Sequence, residues 1–272
     1  MRYFDSHVHS RNSHDAHSPV SDLAETAIRR GIAAFAVTDH CDIEYYLSWD
    51  QPKRVDASIA ETRATAAQYA DRVKILTGIE IGEGIWNMDH TEDILSRHAY
   101  DVVLGSVHAV RYRDMTEPFA RIDFSGVSDE DINGFMAQYF EDYAETVRTV
   151  PADVMTHLCN PLKYITGVYG KPVDLHRCER EINEILDMII ARDLALEVNT
   201  ACLGGGYDAF MPEEWIVKLY HDRGGTLVTI GSDAHRADRI GAGLDRAVGL
   251  LQKIGFSAYY YFENRKPVEV SL

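Results

Sequence analysis

The sequence predicts an α/β fold in which seven βα units form a barrel, with a metal site at the C-terminal ends of the strands. Short apolar or β-branched runs alternate with helical patterns along nearly the whole chain, as in parallel βα units. The length of 272 residues suits one barrel domain over residues 1–272. Histidines and acids follow the strands, which is where barrel enzymes place their chemistry.

Seven short apolar runs are candidate strands, and they cover residues 2–4, 34–38, 74–79, 102–106, 153–156, 195–198 and 226–230. The helical patterns between and after them cover residues 21–30, 56–71, 92–97, 129–149, 174–192, 212–222 and 242–254. Ser21 and Asp174 are candidate caps at helix starts, and Pro212 suits a first turn. Gly31 is placed at the end of the first helix.

Composition excludes several classes of partner. The chain has 27 basic and 43 acidic residues and a formal net charge of −16, which disfavours nucleic acid polymers and anionic membranes. It contains no run of about 18 apolar residues and no signal-peptide pattern. Its four cysteines form no C-x-x-C pair, so free thiols in a cytoplasmic protein are expected, with a disulfide as the alternative. The sequence carries no indication of oligomeric state.

Six histidines and two acids lie at the C-terminal ends of the candidate strands. They are His7, His9, His40, Glu80, His108, His157, Asp233 and His235. Imidazole and carboxylate groups are ligands of zinc, manganese and iron. One of these histidines alone would more often be structural, but independent structural histidines have no reason to gather at one end of a barrel. There are too many ligands for one ion, so two or three ions are expected.

The order and number of these motifs resemble the PHP family, named for polymerase and histidinol phosphatase. The matching motifs are Asp5-x-His7-x-His9-Ser10, Ser13-x-Asp15-Ala16, Thr38-Asp39-His40, Gly78-Ile79-Glu80, Ser106-Val107-His108, His157 and Gly231-Ser232-Asp233-Ala234-His235. Within the family, the chain most resembles the stand-alone histidinol-phosphate phosphatases. This likeness rests partly on Glu197-Val198-Asn199-Thr200 and on the length.

The resemblance implies a distorted (β/α)7 barrel of the PHP type that holds three divalent ions, which could be zinc, iron or manganese. It assigns the ligands in three sets: His7, His9, Glu80 and Asp233 for the first ion, Glu80, His108 and His157 for the second, and Asp15, His40 and His235 for the third. The spacing from Ser13 favours Asp15 over its neighbour His14. Asp5 either orients a ligand or caps a strand end.

The implied chemistry is phosphoester hydrolysis. Three divalent ions carry more positive charge than Asp15, Glu80 and Asp233 neutralise, so the site can bind a phosphate and a metal-bridging hydroxide. The predicted reaction is direct attack of that hydroxide on a small phosphomonoester, with histidinol phosphate as the leading candidate. Asp233, Glu80 and His235 are the predicted catalytic residues. The acid that protonates the leaving group is Asp233 or a metal-bound water.

The predicted substrate-binding residues are Lys163, Arg111, Arg113 and Asn199. The family resemblance leads us to expect an arginine near Leu203 or Gly204, but glycines 204–206 stand there and form either a flexible loop, an anion-binding nest or a turn. Arg111 and Arg113 either replace the missing arginine or are surface residues.

Five further residues near the strand ends are open to interpretation. Glu83 is expected to be a solvated acid. His90 is a candidate for the pocket mouth. Tyr45, Tyr46 and Trp49 either contact substrate or pack on the barrel rim.

Several other functions remain open at this point. The same site could act on a nucleotide, a cyclic phosphodiester or phosphotyrosine. A polymerase-associated nuclease fits the acidic chain less well. A non-catalytic metal-binding module would be expected to lack ligands, yet every matched position is filled. Related barrels with H-x-H motifs hydrolyse amides or esters, but the ligands of the third ion point away from that chemistry.

Overall fold

The central sheet of the computed structural model, which describes residues 3–272, is a nearly closed barrel of parallel strands. The strands are β1 (Tyr3–Val8), β2 (Ile32–Val37), β3 (His40–Asp42), β4 (Lys74–Gly82), β5 (Val102–Ser106), β6 (Val154–Met155), β7 (Ala195–Asn199) and β8 (Val228–Gly231). Their order is β1-β2-β4-β5-β6-β7-β8, and β3 pairs with the second half of β4. The predicted seven-stranded barrel is confirmed, with β3 as an addition. Arg2, at the start of the first predicted strand, lies outside the described residues.

Strand β1 and the segment after β8 bring the two edges of the barrel together. The backbone N–H of Asp233 donates to the carbonyl of His7 at 2.8 Å, and that of His9 donates to the carbonyl of Ala234 at 2.9 Å. These bonds continue the parallel pairing beyond β8. The histidines of β1 and the acid after β8 are therefore neighbours because of the barrel's closure.

The helices of the described chain are α1 (Val20–Arg29), α2 (Gln51–Gln68), α3 (Met88–Ser96), α4 (Asp129–Thr149), α5 (Leu162–Ile165), α6 (Glu179–Ala191), α7 (Glu214–Asp222) and α8 (Leu244–Ile254). The Ser128 hydroxyl caps α4 by accepting the N–H of Asp131 at 3.1 Å. Three predicted caps or starts differ from the structure. Ser21 lies inside α1, Asp174 caps a short 3-10 turn ahead of α6, and Pro212 precedes α7.

A C-terminal hairpin, which the sequence patterns did not predict, covers the N-terminal end of the barrel. Its strands are β9 (Ala258–Glu263) and β10 (Lys266–Ser271). Tyr261 and Phe262 pack in one buried cluster with residues near the starts of the barrel strands, such as Val102 and Ala195. The hairpin therefore closes the end of the barrel opposite to the C-terminal strand ends.

We expect Phe262→Ala to lower the free energy of unfolding by about 3–5 kcal/mol, because Phe262 is only 4% exposed and its loss leaves a cavity. Denaturant unfolding measures this change. Tyr260→Ala removes a half-buried ring on the same strand and is the control. It should lower the free energy of unfolding by less. Activity of the folded variant should persist, and a selective loss of activity would contradict this role of the hairpin.

In residues 3–272, no helix is both long and apolar enough to cross a membrane. All four cysteines are free thiols, as expected.

Candidate metal centre

The C-terminal strand ends bring the nine predicted ligand side chains into one cluster. His7 and His9 come from β1 and the residue after it, His40 from β3, and Glu80 from β4. The loops supply the others, which are Asp15, His108, His157, Asp233 and His235. The carboxylate of Glu80 is fully buried at the centre, and its two oxygens face different imidazoles.

One face of the Glu80 carboxylate meets the histidines of the first strand. His7 Nε2 and His9 Nε2 are 3.0 Å apart. Oε2 of Glu80 lies 3.4 Å from His7 Nε2, and Oδ1 of Asp233 lies 3.2 Å from His9 Nε2. His7, His9 and Asp233 offer ligand atoms that lie close enough together to hold one ion, and Oε2 of Glu80 is beside them.

The other oxygen of Glu80 faces a second pair of imidazoles. Oε1 lies 2.9 Å from His157 Nε2 and 3.2 Å from His108 Nε2. The two ring nitrogens are 3.4 Å apart. Glu80 is therefore shared between two groups of potential ligands.

A third group lies nearer to solvent. His235 Nε2 is 3.2 Å from Oδ2 of Asp15 and 3.3 Å from His40 Nε2. The ring of His40 connects this group to the centre, because its Nδ1 lies 2.8 Å from Oε2 of Glu80. The side chain of Asp15 is 43% exposed, so this group is the most accessible of the three.

Hydrogen-bond partners hold four of the histidines by Nδ1, which leaves Nε2 directed into the cluster. These contacts are His7 to Glu197 Oε1 at 2.7 Å, His9 to Ser13 Oγ at 3.1 Å, His108 to Asp42 Oδ1 at 3.1 Å, and His235 to the Asp233 carbonyl at 2.9 Å. Metal-bound histidines commonly have such a partner on the other ring nitrogen, because it fixes the tautomer and the ring orientation. The arrangement fits bound cations.

A buried oxygen without a hydrogen bond also fits a cation. Within residues 3–272, neither Oε2 of Glu80 nor Nδ1 of His40 has a hydrogen-bond partner, although the two atoms are close. A buried carboxylate oxygen left in this state is costly unless a positive charge accompanies it. Divalent ions can supply that charge.

The carboxylates of the cluster favour positive charge beside them. Burial lowers the pKa of His7, but the carboxylates of Glu197, Glu80 and Asp233 together raise it well above its ordinary value. Burial raises the pKa of Glu80, but the nearby imidazoles, His108 first, lower it well below its ordinary value. The carboxylates thus remain ionised in a setting that can stabilise cations.

Two acids support the cluster in roles that were not predicted from the sequence. Glu197 contacts His7 and also accepts the backbone N–H of His157 at 2.8 Å. Asp42 contacts His108. Its place two residues after His40 on one strand was the available signal, since alternate residues share a face.

The expectation for Glu83 was wrong. The side chain is not solvated but 2% exposed, and it accepts the backbone N–H groups of His108 and of Ala109, the latter at 3.0 Å. Burial, followed by the nearby charge of Asp42, raises the pKa of Glu83 to about 8. Glu83 thus holds the loop that carries His108.

Two glycines leave room for these contacts. A Cβ at Gly82 would clash with Asp42 where it meets His108. A Cβ at Gly231 would clash with Glu197. Glycine is required at both positions because a carboxylate occupies the space of the missing side chain.

Asp5 and Asp39 fix the loops around the cluster. The carboxylate of Asp5 accepts the N–H of Ser232 at 2.9 Å, its hydroxyl at 2.6 Å and the N–H of Gly241 at 2.8 Å. Of the two roles left open for Asp5, the structure thus supports the cap at a strand end. Asp39 accepts the hydroxyls of Ser10 and Ser13, at 2.6 and 2.9 Å, and so holds the loop that leads to Asp15.

The cluster opens into a pocket, and the predicted substrate-binding residues lie at different distances from it. Lys163 lines the pocket, whereas Arg111 and Arg113 do not. The Arg111 guanidinium packs 4.0 Å from the centroid of Trp86, and Arg113 pairs with Asp131. These arginines are surface residues in the structure.

Asn199 is buried below the pocket surface. Its Nδ2 donates to Oε2 of Glu197 at 3.1 Å and lies 3.5 Å from Oδ2 of Asp233. Asn199 therefore positions acids instead of lining the pocket. Glycines 204–206 are exposed, form a turn and bend after β7, and do not line the pocket, so they provide no anion-binding nest there.

Aromatic side chains form part of the pocket wall. Tyr45 and Trp49 line it, whereas Tyr46 is buried and stacks on His90 with ring centroids 4.1 Å apart. His90 does not line the pocket. The wall also contains Arg121, which the sequence patterns did not single out.

We expect Glu197→Gln to weaken metal binding or activity by about 10- to 100-fold, because the charged partner of His7 is lost while its shape is kept. Competition with a chromophoric chelator measures the affinity. Glu184→Gln, at an exposed position on α6, is the matched control. Equal affinities for the wild type and the Glu197 variant would contradict the assigned role.

Comparisons with known proteins identify related sequences and folds. The PHP domain family model matches residues 5–201. A probable histidinol-phosphatase of Thermotoga maritima is 29% identical and covers 98% of this chain and 99% of its own length. The histidinol-phosphatase of Lactococcus lactis is 25% identical, over 98% of this chain and 96% of that protein.

A solved structure has the same fold. It is a crystal structure of histidinol phosphate phosphatase from Lactococcus lactis, complexed with zinc, L-histidinol and phosphate. The TM-score is 0.76 at 22% identity, with 98% of this chain and 99% of that chain covered.

Proposed function

The chain belongs to the PHP domain family, and on that premise we propose that it is a metal-dependent phosphoesterase that hydrolyses histidinol phosphate or a closely similar phosphomonoester. The observation that carries the proposal is the shared carboxylate of Glu80 between two imidazole groups, with a third group beside it. The relatives named histidinol-phosphatase match over nearly their whole length, which supports this choice of substrate.

We infer that three divalent ions, of zinc, iron or manganese, bind in the three groups. His7, His9, Glu80 and Asp233 would hold the first ion, Glu80, His108 and His157 the second, and Asp15, His40 and His235 the third. Mixed imidazole and carboxylate sets suit all three of these metals. Divalent ions there would supply Lewis acidity, which acidifies an attacking water and offsets the charge of the phosphate.

Side chains of the pocket would bind the phosphate and take part in proton transfer. Lys163 is the proposed phosphate-binding residue, because its ammonium makes no hydrogen bond or ion pair within residues 3–272. Burial lowers its pKa, but Tyr164 and Asp233 raise it above the ordinary value, so the group stays charged. Glu80, Asp233 and His235 are the proposed catalytic residues. Asp233 lines the pocket and is one candidate to hold the proton for the leaving alkoxide, the other being a water at the ions.

A panel of phosphoesters tests the substrate. We expect histidinol phosphate to exceed a nucleoside monophosphate, a cyclic phosphodiester and phosphotyrosine by at least about tenfold in kcat/KM. Phosphate release is measured with metal-loaded protein. A higher kcat/KM for another ester would overturn the substrate, and no release from any ester would overturn the function.

A further inference from the structure

We propose that Tyr45, Trp49 and Arg121 form a leaving-group subsite, which selects phosphoesters whose alcohol ends in a flat, uncharged ring with a hydrogen-bond acceptor. A neutral imidazole is such a ring. This inference rests on the proposed function and deepens it, because it assigns the residues that recognise the alcohol half of the substrate.

The aromatic part of the subsite begins beside the metal cluster. Tyr45 and Trp49 are stacked, with ring centroids 4.0 Å apart and an interplanar angle of 9°. The His14 ring is near both Trp49 and the cluster, with centroid distances of 4.6 Å to Trp49 and 5.3 Å to His40. The His14 imidazole therefore connects Trp49 to His40, which is a proposed metal ligand. A phosphate at the cluster can reach the wall with an alcohol that has a short chain before its ring.

Arg121 lies beside the stacked rings of Tyr45 and Trp49. Its guanidinium carbon is 5.8 Å from the centroid of Tyr45 and 5.6 Å from that of Trp49, which is within the range of cation–π contact. The contacts hold the flat guanidinium at the pocket mouth, where it can donate to a ligand. Its N–H groups add hydrogen-bond donors beside the two aromatic rings.

The position of Arg121 is tied to the metal cluster. Arg121 ends a 3-10 turn that begins at Phe119, whose side chain is 1% exposed and packs edge-on against Tyr139. The backbone N–H of Phe119 donates to the carbonyl of His108 at 2.9 Å. The turn is thus anchored in the core and bonded to a proposed ligand, so the backbone of Arg121 is fixed before substrate binds.

The guanidinium of Arg121 is available to a ligand. Its ion-pair partner is Glu117, at 3.8 Å, and both side chains are more than half exposed. Such a pair contributes little and is readily exchanged. A neutral ring nitrogen can accept a hydrogen bond from Arg121, whereas a protonated ring would be repelled. Lys163, the other basic residue of the pocket wall, is assigned to the phosphate, so the two cations have separate roles.

Two substrates, one with an imidazole ring and one without a ring, test the subsite. Histidinol phosphate carries an amine and an imidazole, and ethanolamine phosphate carries the amine alone. With metal-loaded protein, we expect Arg121→Met to raise the KM for histidinol phosphate roughly five- to tenfold, with kcat changed less than about twofold. The KM for ethanolamine phosphate should not change. Trp49→Ala should show the same selective effect.

Arg113→Met is the matched control. Arg113 lies in the same connection between β5 and α4 but pairs with Asp131 and does not line the pocket, so neither substrate should be affected. The proposal is overturned if Arg121→Met changes kcat/KM for both substrates by the same factor, or for neither.

A failure of the proposed function would be distinguishable. If the wild type releases phosphate from neither substrate, calorimetry of histidinol binding to the wild type and to Arg121→Met decides the question. Weaker binding by the variant supports the subsite. Equal affinities, or no binding to either protein, overturn it.

Discussion

Removal of bound metal ions is expected to reduce phosphatase activity to below about 1% of its starting value. The carboxylates of Asp15, Glu80 and Asp233 would then face a phosphate without compensating charge, and water would lose the Lewis acid that activates it. Dialysis against a chelator, followed by metal analysis and a phosphate-release assay, measures the effect. Addition of zinc, iron or manganese should restore activity in proportion to the metal bound, up to three ions per chain.

The control for this experiment is dialysis against the same chelator already saturated with metal. It separates loss of ions from any direct effect of the chelator on the protein. The order in which the ions are lost is also informative, because the group of Asp15, His40 and His235 is the most open to solvent and should lose its ion first. Full activity in protein with almost no bound metal would contradict a metal-dependent reaction.

The barrel was predictable because parallel strands buried on both faces are continuous apolar runs. The run 34–38 predicted β2 in this way, and its residues are buried. The strand β3 was missed because it is three residues long and has the polar sequence His40-Cys41-Asp42. The hairpin strand β10 was missed because its exposed residues alternate only weakly and include Pro267.

The convergence of the proposed ligands was predictable because parallel strands end at the same side of a barrel, so residues far apart in sequence meet there. Asp15 followed only from the family resemblance, since it lies in a loop. The supporting acids were harder to predict. Glu197 contacts His7 across 190 residues, and Glu83 accepts backbone groups 25 and 26 residues further on. No local pattern encodes such contacts. Arg121 was missed for the same reason, because it reaches the pocket from a long connection.

We expect Asp233→Asn to lower kcat/KM by at least about a thousandfold. Oδ1 of Asp233 lies 3.2 Å from His9 Nε2 and 3.7 Å from His7 Nε2, so it completes the first group with a negative charge. Asparagine has almost the same size but carries no charge, so the group would bind its ion more weakly. The substitution would also remove one of the two candidates for the proton donor to the leaving group. Steady-state kinetics and metal content, measured on the same sample, show which loss dominates.

The matched control is Asp238→Asn, five residues further along the chain, where the exposed carboxylate pairs with Arg236. Its activity should equal that of the wild type. If Asp233→Asn binds its full complement of metal but is inactive, the carboxylate acts in the chemical step. If it lacks one ion and excess metal restores the rate, its main role is to bind that ion. A variant that keeps more than about a tenth of the wild-type activity without added metal would contradict both roles, because a buried carboxylate between two imidazoles would then be dispensable.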